Sequence, residues 1–260
     1  MPNRQQEDRP LVSIITPSWE GLQFTKQMME SVEENTDWPF ELIIVDNGST
    51  DGVEDFVLNA NFKMAGQFIR NETNMGFAKA NNQGATIAKG EYLCLLNNDV
   101  IATKGWLTAM MRVFEEEKGC GAVGARLIHP GNGTIQHAGV IEMDSGMPDH
   151  VYFNMPMDYK LAMERKEYFA VTGACMLISR ELYIKLGGLD EAYVNGWEDM
   201  DLCQKIRKAG YKIFYEPNAM LYHYESRTST RYLNENANFS LYMGRWVLNK
   251  NSIVGDNLIK

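Results

Sequence analysis

Apolar runs of strand length alternate with segments of helical period through the first hundred residues, and the runs end abruptly at polar residues, glycine or proline. Leu11–Thr16 is a short β-branched run stopped by Pro17. Leu22, Phe24, Met28, Met29 and Val32 then recur at three- and four-residue spacing, as one face of a helix does. Glu41–Val45 reads as a second buried strand and Gln67–Arg70 as a third. Phe77–Ala88 reads as an alanine-rich helix closed by Gly90, Tyr92–Leu96 as a fourth strand, and Thr103–Glu117 as a helix. Strand–helix alternation at this spacing predicts an α/β fold on a doubly wound, mostly parallel sheet flanked by helices. The 260 residues suffice for a sizeable core, and no repeat or composition break divides them, so a single domain is expected.

The second half makes the sheet mixed. Gly121–Ile128 and Thr134–Ile141 read as strands either side of a Gly131-Asn132-Gly133 turn, Phe169–Ser179 as a longer strand, and Arg180–Leu186 as a helix. A helix over Glu198–Ala209 stops at Gly210. Two short strands follow at Tyr211–Tyr215 and Ala219–His223, then a helix over Asn236–Asn249. Residues 144–160 show no period and read as a long loop, the kind of segment that often serves as a lid.

Charge and cysteine usage exclude several classes. A formal net charge of −9 argues against non-specific nucleic-acid binding, and any bound phosphate must be neutralised locally by a metal or a few placed basic residues. No apolar stretch of roughly eighteen residues is present to span a membrane, and polar Met1–Pro10 lacks the apolar core of a secretory signal. Cys94, Cys120, Cys175 and Cys203 are widely spaced without a CxxC pair, so a disulfide framework or zinc knuckle is not indicated and a reducing cytoplasm is expected.

Chemistry concentrates at strand ends. The fourth strand closes on Asn97-Asn98-Asp99, two amides and a carboxylate, where an open α/β sheet places its ligands. That set suits a hard divalent cation, Mg²⁺ or Mn²⁺, that also grips a phosphate; a helix-capping turn is the alternative. Asp46 ends the second strand and heads a Gly/Ser/Thr/Asp loop, where it can accept from a nucleobase imide or a ribose hydroxyl, or form an Asx-turn. Asp51 reads as the cap of the following helix. Asn74 and Gly76 open a helix whose first turns carry Lys79 and Asn81, which locally read as an ordinary Asn cap with a solvated lysine, or else as a place where a phosphate or sugar could sit. Gly196-Trp197-Glu198-Asp199-Met200-Asp201 sets carboxylates in a first helical turn, where they can simply stabilise the helix dipole, but next to a large ring at a glycine hinge. Successive helical residues differ by about 100°, so one carboxylate should face a cleft while Asp201 is structural. A carboxylate near an apolar ring can act as a general base. His223 sits among tyrosines, where a packed, hydrogen-bonded histidine is commoner than a ligand, and Arg227 reads as a phosphate clamp or a surface ion pair. Gly119-Cys120-Gly121-Ala122-Val123-Gly124 matches a dinucleotide fingerprint but follows a helix and opens a strand, the reverse of the required context.

In order and spacing these segments resemble the inverting nucleotide-sugar glycosyltransferases of family 2, with the GT-A fold, and within them a rhamnosyltransferase-like branch that builds bacterial surface polysaccharides. The resemblance runs from about Val12 to Ser229. It rests on Val12–Pro17, Val45–Asp51, Asn74-x-Gly76-Phe77-Ala78, Leu96–Asp99, Gly188-Leu189-Asp190-Glu191, Trp197-Glu198-Asp199-x-Asp201 and His223. It implies that Asp46 contacts the donor's pyrimidine, with Thr16, Pro17 and Glu20 lining the same pocket and Asn74, Gly76, Lys79, Asn98 and Arg227 completing the donor side. It implies Asp99 as the metal-holding residue, with His223 completing the site, and Asp199 as catalytic base with Trp197 and Glu198 near the acceptor. Asn97 departs from the family's pattern, which has an aspartate there, and Gln136-His137-Ala138-Gly139 resembles a recurring family segment without a derivable role. The implied partners are a UDP- or dTDP-sugar donor, Mn²⁺ or Mg²⁺, and a glycan or lipid-linked acceptor, with self-association and peripheral membrane contact left open. The implied organisation is a disordered lead over 1–10, a nucleotide-binding half over 11–118, an acceptor and catalytic half over 119–230, and a helical segment over 231–260. A sugar-phosphate nucleotidyltransferase would show a glycine-rich basic loop where Pro17-Ser18-Trp19-Glu20-Gly21 stands. A non-catalytic binding module is the other rival, hinted at by Asn97 alone.

Overall fold

The computed structural model describes residues 9–60, 65–225 and 234–248. The alternation yields β1 (Val12–Ser18), α1 (Leu22–Asn35), β2 (Phe40–Asp46), α2 (Val53–Asn59), β3 (Ala65–Arg70), α3 (Phe77–Ile87) and β4 (Tyr92–Leu96). Their four strands are parallel in the order β3-β2-β1-β4. Next come β5 (Val100–Ala102), α4 (Trp106–Glu116), β6 (Cys120–Ile128), β7 (Ile135–His137), β8 (Val140–Glu142), β9 (Pro148–His150) and β10 (Lys166–Glu167). The chain ends through β11 (Cys175–Ser179), α5 (Arg180–Lys185), α6 (Glu198–Lys208), β12 (Lys212–His223), α7 (Glu235–Tyr242) and a π-helical turn over Met243–Leu248. The main sheet continues β4-β11-β6-β12-β10, while β8 and β9 pair separately as a hairpin.

Side chains of each central strand alternate between two cores, as the pleat requires. Val12, Ile14, Leu42, Ile44, Cys94 and Leu96 pack with Met28, Met29, Trp106 and Leu107 of α1 and α4. Ile15, Ile43, Val45, Leu93 and Leu95 pack with residues of α3, α5 and α6, among them Ala80, Leu182 and Leu202. Both faces are covered, which is why these strands read as unbroken apolar runs.

One strand reversal builds the functional edge. β11 runs antiparallel to β4 and β6, whereas β6 and β12 run parallel to each other. The start of β11 therefore lies beside the carboxyl ends of β1, β2, β4 and β12, and Ala174 accepts from the Asn97 N–H at 3.0 Å.

Several boundaries differ from the sequence expectation. β1 continues through Pro17 to Ser18; its pairing with β4 stops at Ile15, so Pro17 has a strand neighbour on one side only. Val100–Ala102 pairs with β12, which delays α4 to Trp106. Thr134–Ile141 divides into β7 and β8. Of Phe169–Ser179 only the last five residues join the sheet, because the chain first leaves it to pair Ala170 with Val140. The two C-terminal strands are one, β12, with a register shift between Glu216 and Met220. Asp51 caps α1 instead of α2, accepting from the Leu22 N–H at 2.6 Å. Residues 1–8 of the expected lead and Asn249 of the expected last helix lie outside the described residues. Among the described residues, no helix is long and apolar enough to cross a membrane.

The detour before β11 is held tightly. A Cβ on Gly124 of β6 would come 2.4 Å from the Val171 Cβ. Gly124→Ala is therefore expected to cost about 1–3 kcal/mol of stability, read as a lower urea midpoint. An unchanged midpoint would mean that the 169–174 segment does not press on the sheet.

Candidate active site

The carboxyl edge opens into a cleft of about 480 Å³. Its floor is made by Pro17–Trp19 at the end of β1, Asn47 after β2, Asn97–Asp99 after β4 and His223 at the end of β12. One wall is Thr172–Ala174 with Asn195–Met200; Val140, Pro148 and His150 of the β8–β9 hairpin also face it. Asp99, Glu198, Asp199 and Glu235 supply carboxylates, and no lysine or arginine lines the cleft among the described residues.

Asp199 is held from two sides. Its Oδ2 accepts from the Gly173 N–H at 2.8 Å and its Oδ1 from the Met200 N–H at 2.8 Å. The approach is close: a Cβ on Gly173 would lie 3.2 Å from the Asp199 Cβ and 3.3 Å from the Phe77 ring. Each carboxylate oxygen has a second lone pair, so proton-accepting capacity remains after both backbone bonds are made. The neighbouring carboxylates are committed elsewhere. Glu198 is buried and accepts from the Gly196 N–H at 2.6 Å. Asp201 is fully buried against Lys205 at 2.9 Å and the Trp246 indole N–H at 2.8 Å, in line with its expected structural role.

The turn before α6 is strained. Asn195, Gly196 and Trp197 all have positive φ, of 56°, 151° and 74°. A tryptophan in this region costs on the order of 1–3 kcal/mol and persists only where the surroundings over-determine it. Here Asn195 accepts from the Phe77 N–H at 3.1 Å, the Trp197 indole donates to Glu235 at 3.0 Å, and its ring packs 4.9 Å from Tyr242 and 5.6 Å from Phe239. The C-terminal aromatics Phe239, Tyr242 and Trp246 thus turn inward; Tyr232 lies outside the described residues.

Asp99 and His223 meet across the cleft floor. The His223 Nε2 is 3.0 Å from Asp99 Oδ1 and 3.1 Å from the Asn97 amide. On its other side, His223 Nδ1 lies 2.5 Å from Gln136 Oε1, and the Gln136 amide donates to Glu225 at 3.0 Å. That donation fixes which end of the amide faces the ring. Nδ1 therefore carries a hydrogen, and Nε2 faces the carboxylate and the Asn97 amide. Two electron-pair donors at this spacing fit a divalent cation: cis ligands at about 2.1 Å from an octahedral ion stand about 3.0 Å apart. Among the described residues no third His, Cys, Asp or Glu joins them.

Of the residues expected on the donor side, Pro17, Asn74 and Asn98 line the cleft, and Thr16, Glu20, Asp46, Gly76 and Lys79 do not. Thr16 is fully buried behind Pro17. Glu20 ties two loops together, accepting from the Thr50 N–H and hydroxyl, both at 3.0 Å. Asp46 is fully buried; it accepts from the Ser49 N–H and hydroxyl and from Arg70 Nη1 at 2.5 Å. Gly76 opens α3, and Lys79 is half-buried in its first turn. Asn98 donates to Thr25 at 3.1 Å. Arg227 lies outside the described residues. Gly173 and His150 line the cleft without having been expected there, and Arg70 pairs with Asp46 outside its lining; Gly173 was hidden inside an apolar run, while Arg70 and His150 carry no local motif.

Residues 13–187 match the family model described as Glycosyl transferase family 2, and residues 156–228 match a second, the N-terminal domain of galactosyltransferase. The uncharacterized protein y4gI of Sinorhizobium fredii is 36% identical over 85% of this chain and 25% of its own length. The O-antigen biosynthesis protein RfbC of Myxococcus xanthus is 29% identical over 84% and 17%. The chain therefore spans a quarter or less of these relatives. An N-acetylglucosaminyl-diphospho-decaprenol L-rhamnosyltransferase of Mycobacterium tuberculosis is 24% identical over 79% of this chain and 73% of its own. Among solved structures, GalNAc-T7 with UDP, GalNAc and Mn²⁺ superposes with a TM-score of 0.72 at 18% identity, over 91% of this chain and 48% of that one. The GT-A fold is thus common to both, and with a family model matching well over half its length the chain belongs to glycosyl transferase family 2.

Proposed function

We propose that the protein is an inverting glycosyltransferase that moves a sugar from a nucleoside-diphosphate donor to an acceptor hydroxyl, in the synthesis of bacterial surface polysaccharide or a related glycoconjugate. The carrying observation is that Asp199 and the Asp99–His223 pair open on one cleft at the carboxyl edge of the sheet. Family membership and the O-antigen relative support the same reading.

In this reading Asp199, oriented by Gly173 and Met200, takes the proton of the acceptor hydroxyl. The hydroxyl oxygen forms its bond to the anomeric carbon as the bond to the diphosphate breaks on the opposite face. Residues 11–118 carry the donor side. Pro17, Asn74 and Asn98 meet the donor directly, Thr16, Glu20, Gly76 and Lys79 shape its pocket, and Asp46 with Arg70 sits beneath the pyrimidine. Residues 119–230 carry the acceptor side, with Trp197 and Glu198 next to the base and a glycan or lipid-linked sugar as acceptor. Asp99 and His223 would hold Mn²⁺ or Mg²⁺, which when bound would supply positive charge against the leaving diphosphate. Work at the cytoplasmic face of a membrane fits a lipid-linked acceptor.

A thermal-shift panel of UDP, dTDP, GDP and NAD, each with and without Mn²⁺, tests this reading. One pyrimidine diphosphate is expected to stabilise the protein more with the metal than without it, by about 2.7 kcal/mol at a hundred times its dissociation constant. Stabilisation by NAD alone, or by none, would overturn the proposal. Release of pyrophosphate in place of nucleoside diphosphate would point instead to nucleotidyl transfer.

A further inference from the structure

His137 and His150 have no part in that mechanism, yet they sit beside its base. His137 ends β7 and is buried; His150 ends β9, is exposed and faces the cleft. Their Nδ1 atoms are 3.1 Å apart and the rings meet edge-on, with centroids 5.1 Å apart at 81°. Behind them the Thr172 N–H points at His137 Nε2 at 3.4 Å, and the next N–H, that of Gly173, holds Asp199 at 2.8 Å. Successive peptide groups thus suspend the imidazole pair and the candidate base.

Counting hydrogens assigns the tautomers. A backbone N–H can only donate, so His137 Nε2 is an acceptor. Burial, with His150 and His223 adding in the same direction, holds His137 well below the ordinary imidazole value, so the ring is neutral with its single hydrogen on Nδ1. That hydrogen is directed at His150 Nδ1, which must accept it. The hydrogen of His150 is therefore on Nε2, and the ring is a donor toward whatever it meets in the cleft. The hairpin that carries it is anchored: Val140 donates to Ala170 at 2.9 Å, Val151 to Gly139 at 3.1 Å, and the tip at Gly146 packs on Val247.

Resting on the glycosyltransferase reading, we propose that His150 is an acceptor-recognition residue. Its Nε2–H donates to an oxygen of a neutral sugar, next to the hydroxyl that gives its proton to Asp199. Neighbouring hydroxyls of a pyranose supply that acceptor and donor side by side. A neutral acceptor also suits a cleft with four carboxylates and no lysine or arginine among its described lining. Thr172 and His137 are positioning residues for this contact.

Two measurements test it. Long-range ¹H–¹⁵N spectra of ¹⁵N-histidine protein, assigned with His150→Gln and His129→Gln, should show hydrogen on Nδ1 of His137 and on Nε2 of His150; the opposite pair of tautomers would overturn the assignment. Octyl glucoside, octyl galactoside and octyl N-acetylglucosaminide are then titrated into protein holding UDP and Mn²⁺. His150→Leu should weaken the glycoside that wild type binds by roughly tenfold, the worth of one hydrogen bond. His150→Gln, which keeps an N–H donor, should hold it within about threefold. Equal binding by wild type and His150→Leu would overturn the proposal, as would failure of wild type to bind any of the three while UDP and Mn²⁺ bind. Where UDP does not bind, dTDP takes its place; failure of both with Mn²⁺ would overturn the glycosyltransferase reading instead, with the tautomers still readable.

Discussion

Replacing Asp199 by asparagine is expected to lower sugar transfer by roughly 10²–10⁴-fold, the usual contribution of a positioned general base, while nucleotide affinity stays within about threefold of wild type. The amide matches the carboxylate in shape but has one oxygen where the carboxylate has two. It can keep the bond from Gly173 or the bond from Met200, and its NH₂ then faces the other backbone donor. One lost hydrogen bond of this kind costs about 1 kcal/mol, too little to unfold the domain but enough to show in a melting curve. What asparagine cannot do is take a proton from the acceptor hydroxyl. Because that transfer occurs in the transition state, the loss should fall on kcat and leave the donor KM nearly unchanged. Near-wild-type single-turnover rates would remove Asp199 from the role of base. Loss of nucleotide binding together with turnover would show that the substitution collapsed the loop at Gly173, and the melting curve would register it.

The parts of this site that were legible in the sequence are those set by one strand and its own end. β1, β2 and β4 announce themselves because both faces are covered and each strand is apolar throughout. Asn97–Asp99 stands out because amides and a carboxylate interrupt that pattern where a parallel sheet puts its ligands, and Asp199 because carboxylates cluster in the first turn of α6 behind Gly196 and Trp197. What stayed hidden depends on pairs distant in sequence. Arg70 reaches Asp46 because β2 and β3 pair them directly across an intervening helix. Gln136 orients His223 from 87 residues away. Gly173 looked like mid-strand, since a chain that leaves the sheet to bridge a neighbouring hairpin keeps the same apolar composition. The left-handed Trp197 is the sharpest case: its own backbone preference opposes that conformation, and only contacts from Glu235, Phe239 and Tyr242 hold it there.

Removing Asp99 should have the second large effect, on metal-dependent nucleotide binding. Outer-shell partners of metal ligands are typically worth 10–100-fold in affinity, so Asp99→Ala, which on the proposed reading deletes a ligand, should weaken Mn²⁺ binding in the presence of UDP by about 100-fold or more. Gln136→Leu provides the graded control. It leaves both Asp99 and His223 in place but removes the oxygen that fixes the ring's hydrogen on Nδ1, 2.5 Å away, and should cost within the 10–100-fold outer-shell range. His223→Ala should match Asp99→Ala, because with either partner gone the other is a single ligand and no further His, Cys, Asp or Glu among the described residues can replace it. Titration calorimetry of Mn²⁺ into each variant with saturating UDP reads these differences without any turnover. Metal-free UDP affinity should be the same in all four proteins, since none of the three residues is needed for the pyrimidine side. If Asp99→Ala binds Mn²⁺ and UDP as wild type does, the 3.0 Å approach of His223 to Asp99 is an ordinary polar contact and the metal is held elsewhere. If only Gln136→Leu is silent, the ring is oriented by its packing at the end of β12 and not by the hydrogen bond. The order of the three losses therefore separates a metal pair with a positioning partner from a buried histidine that merely happens to lie beside a carboxylate.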